Sequence, residues 1–273
     1  MSHHIGHSRQ LTINFCNRIL EYIRENKSLS KFVTVNDFRH AKGLRNFKID
    51  RTDLDLTTGE PADCDTNFFH PHLVENIRSS LKEHHIVVPY EPSSPKTPPA
   101  YSAQRLCFDL DDYDDLLLYS VWKQADFNAI LDICEEVMGT AEDRKCMIYN
   151  GHDIKGGKTT HISCFFALWF DQEHEKLALG ELVCIMAMTL HKLSEPGFEN
   201  HRICPVLLFS AAFRSIRIIS ALVDGSTSTI HIQVTPIETF DKEFYISEER
   251  GEASDKAARM VGWRCNTPCG DTK

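Results

Sequence analysis

The sequence predicts an α/β fold in which a mixed sheet is flanked by helices. Amphipathic patterns typical of helices occur near both ends of the chain, and β-branched and aromatic runs typical of strands fill much of its second half. Between them, a strand, a long helix and another strand follow one another, which requires a crossover and therefore some parallel pairing. The chain has 273 residues, 42% of them hydrophobic, enough to bury the core of one large domain or two small ones.

The composition excludes several classes of protein. No apolar run reaches about 18 residues, so we expect no membrane span. The polar N-terminus MSHHIGHSRQ lacks the apolar core of a signal peptide, and we expect a soluble cytoplasmic protein without a membrane partner. Most of the ten cysteines lie in apolar runs, where a free thiol packs as a small hydrophobe. We therefore expect no structural metal and no other cofactor.

The first part of the chain, residues 1–88, is predicted to be helical and basic. Residues 9–26 have apolar side chains at three- and four-residue steps, and a second helix runs from Pro71 to about residue 85. Residues 1–50 carry nine basic and four acidic side chains, although the whole chain has a net charge of −9. Such a basic end can attract a polyanion, and the alternative is a solvated helix and loop.

Residues 89–100 are predicted to be a linker or long loop, because 89–99 hold five of the eleven prolines. The mixed α/β core then spans residues 101–273, in the order α-α-β-β-α-β-β-β-α. A first helix is predicted after the acidic run 109–115, a second over 126–138, and a last near 252–263. Strands are predicted at 146–149, 159–170, 204–210, 214–223 and 229–237, with a long helix at 172–193 and a loop at 150–158.

Two polar segments of the core suggest binding sites. Asp109, Asp111 and Asp112 belong to an acidic run that offers oxygen ligands to a divalent cation, or hydrogen-bond acceptors to an amine or guanidinium. The alternative is a helix N-terminus that faces water. The loop 150–158 is rich in glycine and carries Lys155 and Lys158, which suits phosphate, although the order of a Walker A motif is absent. The alternative is a plain hairpin loop.

Five further residues are candidates for chemistry. His161 and Ser163 alternate on one face of a predicted strand, where a histidine can activate a hydroxyl, although a strand histidine is often structural. Glu181 lies in an apolar stretch of the long helix and needs a partner, which predicts a perturbed carboxylate that acts as a base or binds a cation. Arg214 and Arg217 lie three apart on a predicted strand, so at most one of them faces a given site.

The block from His161 onward resembles the second half of the PD-(D/E)XK nuclease-like fold found in many fungal proteins. In that family an acid and a D/E-x-K pair hold magnesium at a phosphodiester. The strand HISCFFALWF has no acid–lysine pair, and Asp153-Ile154-Lys155 matches D-x-K only on the preceding loop. The resemblance therefore implies a nuclease site that has degenerated.

Residues 105–273, with PVLLFSAAFRSIRIISALVDG and the closing GDTK, also resemble fungal arginine-containing cyclodipeptide synthases from secondary-metabolite gene clusters. Those enzymes take aminoacyl groups from arginyl-tRNA and a second charged tRNA and join them as a diketopiperazine. No metal is needed for this reaction, because an aminoacyl ester is already activated.

No catalytic motif of that family carries over residue by residue, but the candidate residues suggest a role for each under this interpretation. Glu181 or His161 would accept the proton, with Ser163 in the same catalytic set. The substrate would be bound by four aspartates and one arginine: Asp109, Asp111, Asp112, Asp153 and Arg217. The phosphates of tRNA would be bound by five basic residues: Lys42, Arg45, Lys48, Lys155 and Lys158.

Two alternatives stay open from the sequence. One is a magnesium-dependent nuclease that uses Asp153 and Lys155 with an upstream acid. The other is a non-catalytic interaction protein with a decayed nuclease-like site. No feature of the sequence predicts the oligomeric state.

Overall fold

The computed structural model describes residues 2–62, 67–83, 120–140, 145–157, 159–239, 246–247 and 252–273. Within these ranges the α-helices are α1 (Ser2–Glu25), α2 (Val74–Glu83), α3 (Asn128–Met138), α4 (Leu179–Ser194) and α5 (Asp255–Arg264). The longer strands are β2 (Lys48–Asp53), β4 (Trp122–Gln124), β5 (Cys146–Ile154), β6 (Ile162–Leu168), β8 (Val206–Ala212), β9 (Ser215–Asp224) and β10 (Thr229–Val234). Two-residue strands are β1 (Phe32–Val33), β3 (Phe69–His70), β7 (Leu177–Ala178), β11 (Glu238–Thr239), β12 (Ile246–Ser247), β13 (Glu252–Ala253) and β14 (Thr267–Pro268).

The large mixed sheet confirms the predicted α/β class. Its strand order in the described residues is β2-β10-β9-β8-β6-β5-β4, with β11 also paired to β9. β6 pairs with β8 in parallel, and α4 forms the crossover between them, as the strand–helix–strand succession predicts. β2 also runs parallel to β10, and the other pairs of this order are antiparallel.

Helices cover both faces of the sheet. α1, α3 and α4 pack together on one face, whereas α2 and α5 pack with each other on the opposite face. α4 is buried along most of its length, because it lies between the sheet and the other two helices of its layer. This position explains why its sequence is apolar nearly all round instead of amphipathic.

The N-terminal part of the chain is built into the same sheet and core as the C-terminal part. β2 pairs along its whole length with β10, from Lys48 opposite Thr229 to Asp53 opposite Val234. α1 packs on α4 and against the β9–β10 turn. At that turn, a Cβ on Gly225 would lie 2.3 Å from the backbone oxygen of Leu11, so only glycine allows this approach. The proline-rich segment 89–100 lies outside the described residues.

Strand β5 is longer than predicted, and it takes up half of the predicted loop 150–158. A register shift between Ile148 and Gly151 lets the strand continue to Ile154 beside β6. A Cβ on Gly151 would overlap the ring of Phe127, so this glycine serves packing and does not mark a loop. The turn itself is made by Gly156 and Gly157, both with positive φ.

Candidate functional site

A row of polar residues crosses the sheet on the face toward α2 and α5. Strand register places them side by side: Thr52, Gln233, Ser220, Ser163 and His152, with Leu207 between the two serines. Residues directly opposite in a sheet point to the same face, so the pairing itself assembles this row. Ser163 and Ser220 are both buried. Buried hydroxyls in a row on an otherwise apolar face mark this region as a candidate site.

The row opens into a pocket at the β2–β10–β9 edge of the sheet. Its volume is about 270 Å³. The lining residues used below are Asp50, Thr52, Phe68, Ser220, His231 and Gln233. Sites for drug-sized ligands typically measure about 300–1,000 Å³, so this pocket suits a smaller group such as one amino-acid side chain.

Asp50 and His231 form an acid–base pair in this pocket. They lie opposite each other on β2 and β10, and the Oδ2 of Asp50 is 3.0 Å from the Nδ1 of His231. The side chains are 65% and 45% exposed, so both are open to a ligand. When Nδ1–H of a neutral imidazole donates to the carboxylate, Nε2 carries the lone pair and can accept a proton.

Three basic residues precede the Asp50–His231 pair in the segment that leads into β2 and in β2 itself. Lys48 precedes Asp50 by two residues on β2, so it shares the same face of the strand at a spacing of roughly 7 Å. Arg45 and Lys42 precede Lys48 in the connecting segment, and all three side chains are exposed. The pocket thus has an exposed carboxylate at its lining, with the positive charge of Lys48 on the same strand face.

Lys155, another predicted phosphate ligand, lies far from these three. Four strands separate β5 from β2, which at about 4.8 Å per strand spacing amounts to roughly 24 Å. Lys155 is exposed, and its Nζ donates to the backbone oxygen of Ser120. Lys158 lies outside the described residues, as do Asp109, Asp111 and Asp112.

Glu181 lies on the opposite face of the sheet, at the N-terminus of α4, in a closed hydrogen-bond network. Its Oε2 accepts from the backbone N–H of Ala178 at 2.7 Å and from Nη2 of Arg217 at 2.6 Å. Its Oε1 accepts from the Ser210 hydroxyl at 2.6 Å and from Nε of Arg217 at 3.2 Å. The carboxylate is 0% exposed and the guanidinium 1% exposed. This is the partner that a buried glutamate requires.

Arg217 uses its remaining donors on the chain segment that leads into α4. Its Nη1 donates to the backbone oxygens of Glu173 and His174, and its Nη2 donates to that of Lys176. Together with Glu181, these acceptors account for all five N–H groups of the guanidinium. The pair therefore anchors the segment before α4.

His161 lies on the same face as Ser163 and the pocket, but is buried. It is 1% exposed, and its Nε2–H donates to the backbone oxygen of Cys269 at 2.8 Å. Burial lowers the pKa of His161 to about 4, although the bond to Cys269 opposes this shift. Its ring lies 6.3 Å from that of Phe68, which lines the pocket. The structure thus groups His161 and Ser163 on one face and Glu181 on the other.

Asp153 is held by Lys192 from the end of α4. Its Oδ2 lies 2.8 Å from Lys192 Nζ, which is also 2.8 Å from Oε2 of Glu195. Lys192 is buried, and its Nζ lies 4.4 Å from the centre of the Phe198 ring. Burial alone lowers the pKa of Lys192, but the two carboxylates outweigh it and raise that pKa above its usual value. The neighbour of Asp153 is therefore Lys192, and Lys155 bonds elsewhere.

The sequence analysis missed the pocket residues, Asp50 and His231 above all. One signal was present, because TIHIQV places polar side chains at every second position, whereas KIDRTD is polar at five of its six positions. That alternation predicts a strand with a polar face. It does not show that the two strands, 181 residues apart, are neighbours.

Comparison of the chain with protein-family models, with curated proteins and with solved structures gives no match. The site therefore has to be interpreted from its own geometry. None of the helices in the described ranges combines the length and apolar composition that a bilayer crossing requires. Among the described residues, no group of three or more histidine, cysteine, aspartate or glutamate side chains is arranged to hold a metal ion.

Proposed function

We propose that this chain is a tRNA-dependent cyclodipeptide synthase, which joins arginine and a second amino acid from aminoacyl-tRNAs into a diketopiperazine. The observation that supports it best is the Asp50–His231 pair in a small pocket beside the exposed Lys48. A tRNA that carries arginine presents a cationic side chain next to a polyanionic backbone. The pocket and its surroundings have the complementary arrangement of charge.

Proton transfer in this proposal is assigned to His231. The amine of one aminoacyl group attacks the ester carbonyl of the other, so a C–N bond forms and the ester C–O bond breaks. Nε2 of His231 takes the proton from the attacking nitrogen and returns it to the departing ribose oxygen. Asp50 holds Nδ1 and stabilises the imidazolium that forms. A second attack of the same kind closes the ring.

Recognition of the two charged parts is assigned to different residues. The second carboxylate oxygen of Asp50 can accept from a guanidinium or an α-ammonium group. Lys42, Arg45 and Lys48 would contact phosphates, and each such contact adds salt-dependent affinity. Recognition by Asp109, Asp111 and Asp112 stays a prediction, since they lie outside the described residues.

A degenerate PD-(D/E)XK-like core is part of this proposal. The β5–β6 hairpin, the α4 crossover and the parallel β8 are compatible with such a core. β6 itself carries no acidic side chain, and Asp153 is paired with Lys192. These contacts favour the transferase over the magnesium-dependent nuclease, which needs Asp153 and Lys155 at one metal ion.

The purified 273-residue chain should be incubated with arginyl-tRNA and each of the other charged tRNAs in turn. Cyclic dipeptides are then sought by mass spectrometry. We expect an arginine-containing diketopiperazine, and a loss of at least tenfold in its rate for His231→Asn and Asp50→Asn. Matched controls are His191→Asn and Glu136→Gln, which change the same groups in the opposite helical layer and should leave the rate unchanged.

The proposal fails if no charged tRNA yields a cyclic dipeptide, or if His231→Asn reacts at the wild-type rate. Salt-dependent tRNA binding without any product would instead support the non-catalytic interaction protein. Cleavage of RNA or DNA that EDTA and Asp153→Ala abolish would support the nuclease.

A further inference from the structure

Three sulfur atoms form a nearly equilateral triangle in the core between β6 and α4. The Sγ atoms of Cys164 and Cys184 are 3.6 Å apart, and they lie 3.7 Å and 3.6 Å from Sδ of Met188. Cys184 and Met188 are one turn apart on α4, which places them on one side of the helix, facing Cys164 on β6. All three residues are 0% exposed.

The triangle has close to the dimensions of a three-coordinate metal site. A point at its centre lies about 2.1 Å from each sulfur. Metal–thiolate bonds measure about 2.3 Å in zinc proteins, so the sulfurs need to move apart by only a few tenths of an ångström. Thiolate and thioether ligands together select soft ions such as Cu(I), whereas magnesium and calcium require oxygen.

We propose that Cys164, Cys184 and Met188 form a closed site for one Cu(I) ion. Cu(I) binds the two cysteines as thiolates, so both thiol protons are released and the cluster gains one net negative charge. The metal–sulfur bonds must therefore outweigh the cost of burying that charge. Because the site is closed in the folded protein, the ion enters as the chain folds. This site is independent of the proposed transferase reaction, and it uses none of the pocket residues.

The protein should be refolded from denaturant without oxygen, in the presence of one equivalent of Cu(I). After exchange into buffer with a Cu(I) chelator, bound copper is measured, and X-ray absorption counts its sulfur neighbours. We expect one copper per chain with three sulfur neighbours, and a higher melting temperature than that of the copper-free protein. Cys164→Ala and Met188→Leu should lower copper affinity at least tenfold.

Two controls separate a metal site from ordinary packing. Met186→Leu changes a neighbouring methionine of α4, and Cys134→Ala removes a buried thiol of α3 that is not in the triangle. Both should keep the copper. Met188→Leu conserves volume and is expected to fold even where Cys164→Ala does not. Wild-type protein that retains no copper, or Met188→Leu that retains as much as wild type, would overturn the proposal and leave the sulfurs as core packing.

Discussion

Replacing Glu181 by alanine is expected to destabilise the protein severely. The change removes the carboxylate that Arg217, Ser210 and the backbone N–H of Ala178 share, and leaves a guanidinium that is 1% exposed without its counter-charge. Breaking a buried ion pair costs about 3–5 kcal/mol. Since whole domains are stable by about 5–15 kcal/mol, this is a large fraction of the total. At about 2–4 °C per kcal/mol, the melting temperature should fall by roughly 10 °C.

Urea unfolding, followed by circular dichroism and tryptophan fluorescence at neutral pH, measures this loss directly. The companion variant is the double substitution Glu181→Leu with Arg217→Met, in which neither charge is left alone. It should recover most of the stability, to within about 2 kcal/mol of wild type, because well-packed apolar side chains can replace a buried ion pair. If Glu181→Ala loses less than about 1 kcal/mol yet abolishes product formation, the carboxylate acts in the chemistry and our structural explanation is wrong.

Three further predictions concern single residues. Lys192→Met leaves two partly exposed carboxylates without their cation and should cost about 2–3 kcal/mol at pH 7. The pKa of Lys192 is raised in the folded state, so its contribution to the free energy of unfolding is complete below the unfolded-state pKa of 10.5. That contribution is lost as the pH rises past the folded-state pKa. The alkaline unfolding curve of the wild type should show this loss, and that of Lys192→Met should not. The pKa of His161 is lowered in the folded state from 6.5 to about 4, because the buried site favours the neutral imidazole. Above pH 6.5 the histidine is neutral in both states and costs nothing. As the pH falls from 6.5 to 4, the free energy of unfolding should drop by about 3 kcal/mol. In His161→Asn, the free energy of unfolding should therefore fall less steeply between pH 6.5 and pH 4 than in the wild type. Equal slopes for the two proteins in this pH range would refute the prediction. Gly225→Ala should cost about 1–3 kcal/mol in urea unfolding, because its Cβ meets the backbone oxygen of Leu11, whereas Gly6→Ala in open space should not destabilise.

Much of the secondary structure could be predicted because its signals are local. The three-to-four-residue periodicity predicted α1 and α3, and the β-branched runs predicted β6, β8, β9 and β10. Errors arose where a local signal had a non-local cause. Gly151 resembles a loop glycine in the sequence, but it lies within β5 because the ring of Phe127 packs against its Cα.

The candidate site could be predicted only in part. A glutamate inside an apolar helix had to have a partner, which is why Glu181 stood out from the sequence. That this partner is Arg217 depends on β9 lying next to β8 beneath the start of α4. From the sequence, either Arg214 or Arg217 could face a given site. The pairing of β9 with β8 places Arg217 beside Glu181.

By itself, the sequence determined the α/β class, the order of most elements and the presence of a crossover, since hydrophobic periodicity is set by neighbouring residues. Only the tertiary structure decided which polar residues meet. Asp50 and His231 are 181 positions apart and come within 3.0 Å because β2 joins the sheet beside β10, in parallel. The pairing of β2 with β10 depends on packing across the whole core, including α1 on one face of the sheet. No local sequence pattern predicts this pairing.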